Sequence, residues 1–294
     1  MTKFKNIILA TDFSDAAKTA YKYAQGMAAH LGANIQVVHF FDKPSSAFNS
    51  DDKNLTFSLD DMERIAQKRF DELINEPEQG PTNGGGPSKP TFKSYDGFAA
   101  DGLIALSKTP SPKESSRTVD LMILGTKGTT NWTDTFYGST AVSVSSGAFC
   151  PVLLVPHGTD YRAFQNIVYT SAFDSAESTE IRLALDFAYY FESVLHFVHV
   201  ITDADGSGVT AKILFKTIIE DENRLTHYTI DNVRADTPVE GIQSYFLNNP
   251  VDLLVTVTRH HSFWSKLIIQ STTTALAWNV RLPLLVLYHD DASL

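Results

Sequence analysis

The chain has 294 residues, 43% hydrophobic and 20% charged, with 24 Lys and Arg against 34 Asp and Glu for a formal net charge of −10. That length fits two domains of ordinary size, and the composition excludes disorder over most of the chain. The acidic balance argues against nucleic acid as a partner, because a phosphate backbone needs a basic face, and no apolar run is long enough to span a membrane.

The first apolar run, Ile7 to Thr11, reads as a strand. It lacks the length and flanks of a signal peptide, so a cytoplasmic address is expected. Next come Ala16, Ala20, Tyr23, Ala24, Met27, Ala28 and Leu31, apolar at intervals of three and four, which is the buried stripe of a helix. Strands are expected again at Ile35 to Phe41, Leu121 to Gly125 and Val152 to Val155, with helices between them. Two Pro/Gly/Ser-rich stretches, 76–90 and 107–117, read as inserted surface loops. Cys150 is the one cysteine, which leaves no intrachain disulfide and no four-cysteine metal site.

The second half of the chain repeats the first. Residues 5–42 align without gaps on 165–202, with 9 of 38 pairs identical, among them Asn6 with Asn166, Phe13 with Phe173 and Val38-His39 with Val198-His199. The later segments match at a shorter offset: VDLMILG from Val119 with VDLLVTV from Val251, Trp132 with Trp264, and Cys150 to Leu153 with Leu282 to Leu285. Two domains follow, 1–157 and 163–294, the first with 15 Lys and Arg against 17 Asp and Glu, and residues 158–294 with 9 against 17. An anionic ligand should therefore prefer the first. Alternating strands and helices joined by right-handed crossovers predict an α/β fold of two tandem, doubly wound, parallel five-stranded sheets of Rossmann-like kind. The last strands, Pro151 to Pro156 and Pro283 to Tyr288, should lie at sheet edges and pair with each other, giving a pseudo-dimer within one chain. Homodimerisation of the whole chain is a further expectation.

In such a sheet the ligand crevice opens beyond the carboxyl ends of the strands where strand order reverses. Two segments compete for that place: Ala10-Thr11-Asp12-Phe13-Ser14 after strand one, and residues 125–140 after strand four. The latter has Gly125, two residues, Gly128, nine residues, then Gly138-Ser139-Thr140 opening a helix. Glycines permit close backbone approach, and a helix N-terminus offers N–H groups and positive dipole to an anion.

With this G-x2-G-x9-G-[ST] pattern, ILATDFS at the start and CPVLLVP at the end of the unit, the first half resembles the ATP-binding branch of the universal stress protein family. The resemblance covers nearly all of that half apart from the insertion. It implies ATP, with or without magnesium, as cofactor. Thr11 and Asp12 would then face the nucleotide, the backbone of Phe40 would meet adenine, and Leu124, Gly125, Gly128, Gly138, Ser139 and Thr140 would surround the phosphates. Asp12 would be the residue to hold magnesium through those phosphates.

The same residues have plainer readings. Ser139 sits where any helix might place its N-cap, Gly125 and Gly128 could shape a loop, and Lys127 and Thr140 could be solvated. Trp132 is matched by Trp264 in the copy, which points to packing. In the second half Val257, His260 and Gln270 replace the three glycines and Ala172 replaces Asp12, with Ser271-Thr272 retained, so that half resembles the non-binding branch. Arg259, His260 and His261 lack the spacing or carboxylate partner of a zinc site. His39 and His199, kept in both copies, suggest a shared structural hydrogen bond, and Cys150, replaced by Leu282, a small buried hydrophobe.

The leading reading is an adenine-nucleotide-binding regulatory protein of the stress response. One alternative is a slow ATP-hydrolysing or adenylate-transferring enzyme on the same fold, although SGGxDS, HxGH, KMSKS and P-loop signatures are all missing from the sequence. Another is a scaffold in which both halves serve only assembly. No nucleophile and base pair marks a catalytic residue.

Overall fold

The computed structural model describes residues 4–41, 58–75, 89–108, 119–126, 138–170, 178–202, 227–257 and 282–288. The first half runs β1 (Asn6–Ala10), α1 (Asp15–Leu31), β2 (Asn34–Phe41), α2 (Leu59–Ile74), β3 (Thr91–Asp96), α3 (Ala99–Ser107), β4 (Leu121–Thr126), α4 (Ser139–Gly147) and β5 (Val152–Pro156). The second gives β6 (Asn166–Thr170), α5 (Ser178–Tyr190), β7 (Val194–Ile201), β8 (Tyr228–Arg234), α6 (Pro238–Asn248), β9 (Leu253–Val257) and β10 (Leu284–Leu287). The helices expected between β7 and β8 and between β9 and β10 fall outside the described residues, as do most of the two inserted loops.

Local chemistry sets the boundaries. Ser14 caps α1 by accepting from the Ala17 amide, Asp15 complements the dipole in the first turn, and Gly32, left-handed at φ 59°, ends the helix with its N–H on the Ala28 carbonyl. The predicted stripe of α1 is buried from Ala20 to Leu31, and Ala17 and Tyr21 join it.

The strands form one sheet in the order β3-β2-β1-β4-β5-β10-β9-β6-β7-β8. Each half is parallel, as the alternating pattern predicts, and its strands take the order 3-2-1-4-5. The halves meet where β5 and β10 pair antiparallel, with Leu153 opposite Leu285. These two strands are edges of their own five-stranded halves and the centre of the whole, so the outer edges are β3 and β8.

The core has two layers. On one face α1, α2 and α5 bury residues including Phe4, Met27, Phe70, Phe187 and Phe197. On the other, α3, α4 and α6 cover Ile8, Val38, Leu124, Val198 and Leu254. Each layer contains residues of both halves, and the Phe4 ring meets the Phe187 ring edge-on at 5.2 Å. Burial is thus shared across the seam.

Candidate functional site

β1 lies between β2 and β4, so the chain's winding reverses there. The parallel ladder with β2 ends at Ala10 and Val38. Beyond it the Thr11 amide donates to the Val38 carbonyl at 2.9 Å. The chain then turns sharply. The Phe13 amide donates to Thr11 Oγ1 at 3.0 Å and the Ser14 amide to Asp12 Oδ1 at 2.9 Å. These are the local side-chain turns that Thr and Asp favour. Phe13 takes φ 62°, a left-handed conformation that bulky residues avoid. Its ring packs against His39 at 4.8 Å and Phe92 at 6.3 Å, and the Arg69 guanidinium lies 5.9 Å from its centroid. Thr11 is buried by this turn, whereas Asp12 is exposed.

His39 Nδ1 lies 2.8 Å from the Thr11 carbonyl oxygen. A carbonyl only accepts, so Nδ1 carries the ring proton. Burial pushes the imidazole below its ordinary pKa, and Arg69 adds to that, while the bond to Thr11 and the Asp12 carboxylate oppose it. The expected hydrogen bond of His39 is therefore present, and its partner is the loop itself. His39 is half-buried and His199, its counterpart, is buried.

At the end of β4, Leu124 is buried between Ala10 of β1 and Leu154 of β5. Gly125 follows it. A Cβ there would come within 2.3 Å of the Ala16 carbonyl oxygen and 2.9 Å of the Ala17 nitrogen. The glycine is thus required by the first turn of α1 crossing β4. Gly138 differs: its φ of −57° suits any residue, and among the described residues a Cβ on it would meet nothing within 4 Å. It is the N-cap of α4, and among the described residues no side chain caps that helix. The plainer reading of Ser139 as N-cap is corrected here. The cap position belongs to Gly138, so the Ser139 hydroxyl, already inside the helix, makes no capping bond. Thr140 is next in the same turn. Because β4 and β5 are parallel, α4 runs back between them and its uncapped N-terminus lies at the carboxyl end of the sheet.

Phe40 is the penultimate residue of β2, next to this crevice. Its ring stacks on Tyr95 at 5.4 Å and occupies the space a Cβ on Gly102 would need. The side chain is committed to holding α3, consistent with only its backbone being available beyond the strand. Gly241 repeats this over Val200, a correspondence the two sequence offsets do not cover.

Of the expected site residues, Thr11, Asp12, Phe40, Leu124 and Gly125 thus gather at the carboxyl ends of three neighbouring strands, with Gly138, Ser139 and Thr140 on the helix that follows β4. Gly128 lies outside the described residues, as do Lys127, Trp132, Ala172, Arg259, His260, His261, Trp264, Gln270, Ser271 and Thr272. Sequence reasoning missed the grip of His39 on Thr11 and the left-handed Phe13, although the repeated His39/His199 and Phe13/Phe173 pairs were the available signal. Cys150 is buried, and desolvation with Asp120 nearby pushes its thiol up to about 12, the behaviour of a small hydrophobe. Among the described residues no cluster of three or more His, Cys, Asp or Glu could hold a metal, and no helix is long and apolar enough to cross a membrane.

The 3-2-1-4-5 winding and a crevice at its switch point define a doubly wound α/β protein of Rossmann-like kind. Residues 3–156, more than half of the chain, match the universal stress protein family, and the chain belongs to that family. It is 24% identical over 300 residues to universal stress protein Slr1230 of Synechocystis sp. (strain ATCC 27184 / PCC 6803 / Kazusa), an alignment covering 96% of this chain and 99% of the relative. Among solved structures, a universal stress protein from Archaeoglobus fulgidus DSM 4304 superposes with a TM-score of 0.67 at 15% identity, over 99% of both chains. The functionally unknown protein PA1789 from Pseudomonas aeruginosa PAO1 gives 0.51 at 14%, covering 98% of this chain and 94% of that one.

Proposed function

We propose that this chain is a regulatory protein of the stress response that binds one adenine nucleotide, ATP, in its first half, and that binding rather than turnover is its function. The observation that carries the reading is Gly138. Neither backbone conformation nor packing within the described residues requires a glycine there, yet it stands at a helix N-terminus that no described side chain caps, at the carboxyl end of the sheet where the switch-point crevice opens. A group that needs the space and the N–H donors explains both features, and a phosphate is such a group. The spacing of Gly125, Gly128, Gly138 and Ser139 supports the same reading, with Phe40 backbone toward the base and Asp12, exposed beside them, toward ribose or a phosphate-bound magnesium.

Units 1–157 and 163–294 then act as a binding and a degenerate copy, paired through β5 and β10 as a pseudo-dimer in one chain. The second half carries Val257 where the first has Gly125 and the larger share of the negative charge, so one nucleotide per chain is expected. The test is to denature the purified chain, identify any released nucleotide by mass spectrometry, and titrate stripped protein with ATP by calorimetry. One molecule bound per chain without turnover supports the proposal; no adenylate bound in either measurement defeats it in favour of a scaffold, and steady phosphate release favours an enzyme.

A further inference from the structure

We propose that His39 is the positioning residue of this crevice, holding the Thr11–Ser14 turn in the conformation that presents Asp12 while touching no ligand itself. The proposal takes the identity of the ligand from the nucleotide reading above, but its geometry stands apart from it.

The turn begins where the β1–β2 ladder stops. β2 holds Thr11 on both sides: the Val38 carbonyl accepts its amide, and its own carbonyl accepts from the His39 ring at 2.8 Å. A side chain thus does what the next ladder amide would do if β1 continued, and this frees the backbone to bend. The other two bonds of the turn, Phe13 amide to Thr11 Oγ1 and Ser14 amide to Asp12 Oδ1, are local and tie the turn to nothing else. His39 acts a second time through its ring, which packs against the Phe13 ring at 4.8 Å, tilted by 50°. That contact matters because Phe13 holds φ 62°, and such a conformation persists only where the surroundings enforce it. The charged groups bearing on the imidazole are Arg69 from α2 and Asp12 from the turn. Nδ1–H is present whether or not the ring is charged, so the grip on Thr11 survives protonation.

The test contrasts two variants of the full chain. His39→Asn places an amide N–H near the position of Nδ1 and loses the ring, whereas His39→Leu keeps the bulk and loses the donor. Two readouts are taken: hydrogen-exchange protection of the Phe13 and Ser14 amides, and ATP affinity by calorimetry. His39→Leu is expected to lose protection at those two amides and about tenfold in affinity, the scale of one hydrogen bond. His39→Asn should recover most of both. A residue that merely filled space would give the opposite order, with Leu tolerated and Asn damaging, and that order overturns the proposal. Wild-type protein with no ATP affinity would sink the nucleotide reading, while the exchange measurement would still decide the role of His39. Should His39→Leu not fold, His39→Met, also without a donor, is read the same way.

Discussion

At the amino ends of the strands the two halves are built alike. Asp120 Oδ2 accepts the Lys5 and Asn6 amides at 2.9 and 2.8 Å, clamping the start of β1 against β4. Asp252 Oδ2 accepts the Gln165 and Asn166 amides at 2.9 and 2.8 Å, clamping β6 against β9. Toward the carboxyl ends of β2 and β7, Gly102 and Gly241 still each give way to the side chain of the strand beneath. At the carboxyl ends of β4 and β9 the halves part. Gly125, close under the first turn of α1, is answered by Val257, a buried side chain. What both halves keep is what the sheet requires to assemble. What only the first half keeps must then be sorted into packing and ligand contact, and its two described motif glycines fall on opposite sides of that division.

The largest expected effect tests this division directly. Gly125→Val, which copies the second half into the first, drives a branched side chain against the Ala16 carbonyl and should cost about 3 kcal/mol of stability, at the upper end for overpacking. Gly138→Val meets no atom of the described residues and should cost about 1 kcal/mol or less, the scale of a weakened N-cap, while lowering ATP affinity tenfold or more. Denaturant melts and calorimetry on both variants decide the matter. If Gly125→Val melts like the wild type, the close approach of α1 to β4 is not what that glycine serves. Unchanged ATP affinity in Gly138→Val would move the phosphates away from α4.

Much of this was legible in the sequence because it rests on periodicity. The strand at Ile35 to Phe41, the stripe of α1 and the pairing of the last strands all follow from apolar spacing and repetition, and the structure reproduces them. Contacts between residues far apart in the chain were not legible. Nothing in the spacing of Gly125, Gly128 and Gly138 tells that the first glycine answers to Ala16 in another element while the third meets no neighbour among the described residues. The role of Asp120 was hidden for the same reason. VDL recurs in both halves, but an aspartate before a strand has no visible purpose until the neighbouring strand's amides are seen to converge on it.

The second comparison concerns those aspartates. Asp120→Ala and Asp252→Ala each strip two backbone amides of a carboxylate acceptor, and hydrogen bonds to charged groups are the stronger kind. Each variant should lose about 1.5 kcal/mol, less than the two bonds at full strength because one amide of each pair belongs to an exposed residue that water can serve. The two losses should be close to equal. A loss confined to one half, measured by the same denaturant melts, would show that the amino ends of the copies carry unequal weight despite matching backbone bonds.

The smallest effect is on pH dependence, and it separates the halves by the company their histidines keep. His39 in the first half and His196 in the second are both pushed below the ordinary imidazole pKa, in each case chiefly by burial. A depressed pKa means the folded state binds the proton less readily than the unfolded chain. The stability each contributes is therefore complete above the ordinary value of about 6.5 and is lost as pH falls through the folded-state pKa. The neighbours differ. Arg69 lowers the pKa of His39 further, whereas Asp231, which accepts from the Thr229 hydroxyl lying 2.9 Å from His196 Nδ1, raises that of His196 and partly offsets its burial. Melting temperature should fall between pH 7.5 and 5.5. Arg69→Gln should flatten that fall by letting His39 charge more easily, and Asp231→Asn should steepen it by removing the one charge that helps His196. Melting curves of the three proteins across that range give the answer. If Arg69→Gln steepened the slope, or Asp231→Asn flattened it, the charges around one of these rings would have been assigned with the wrong sign.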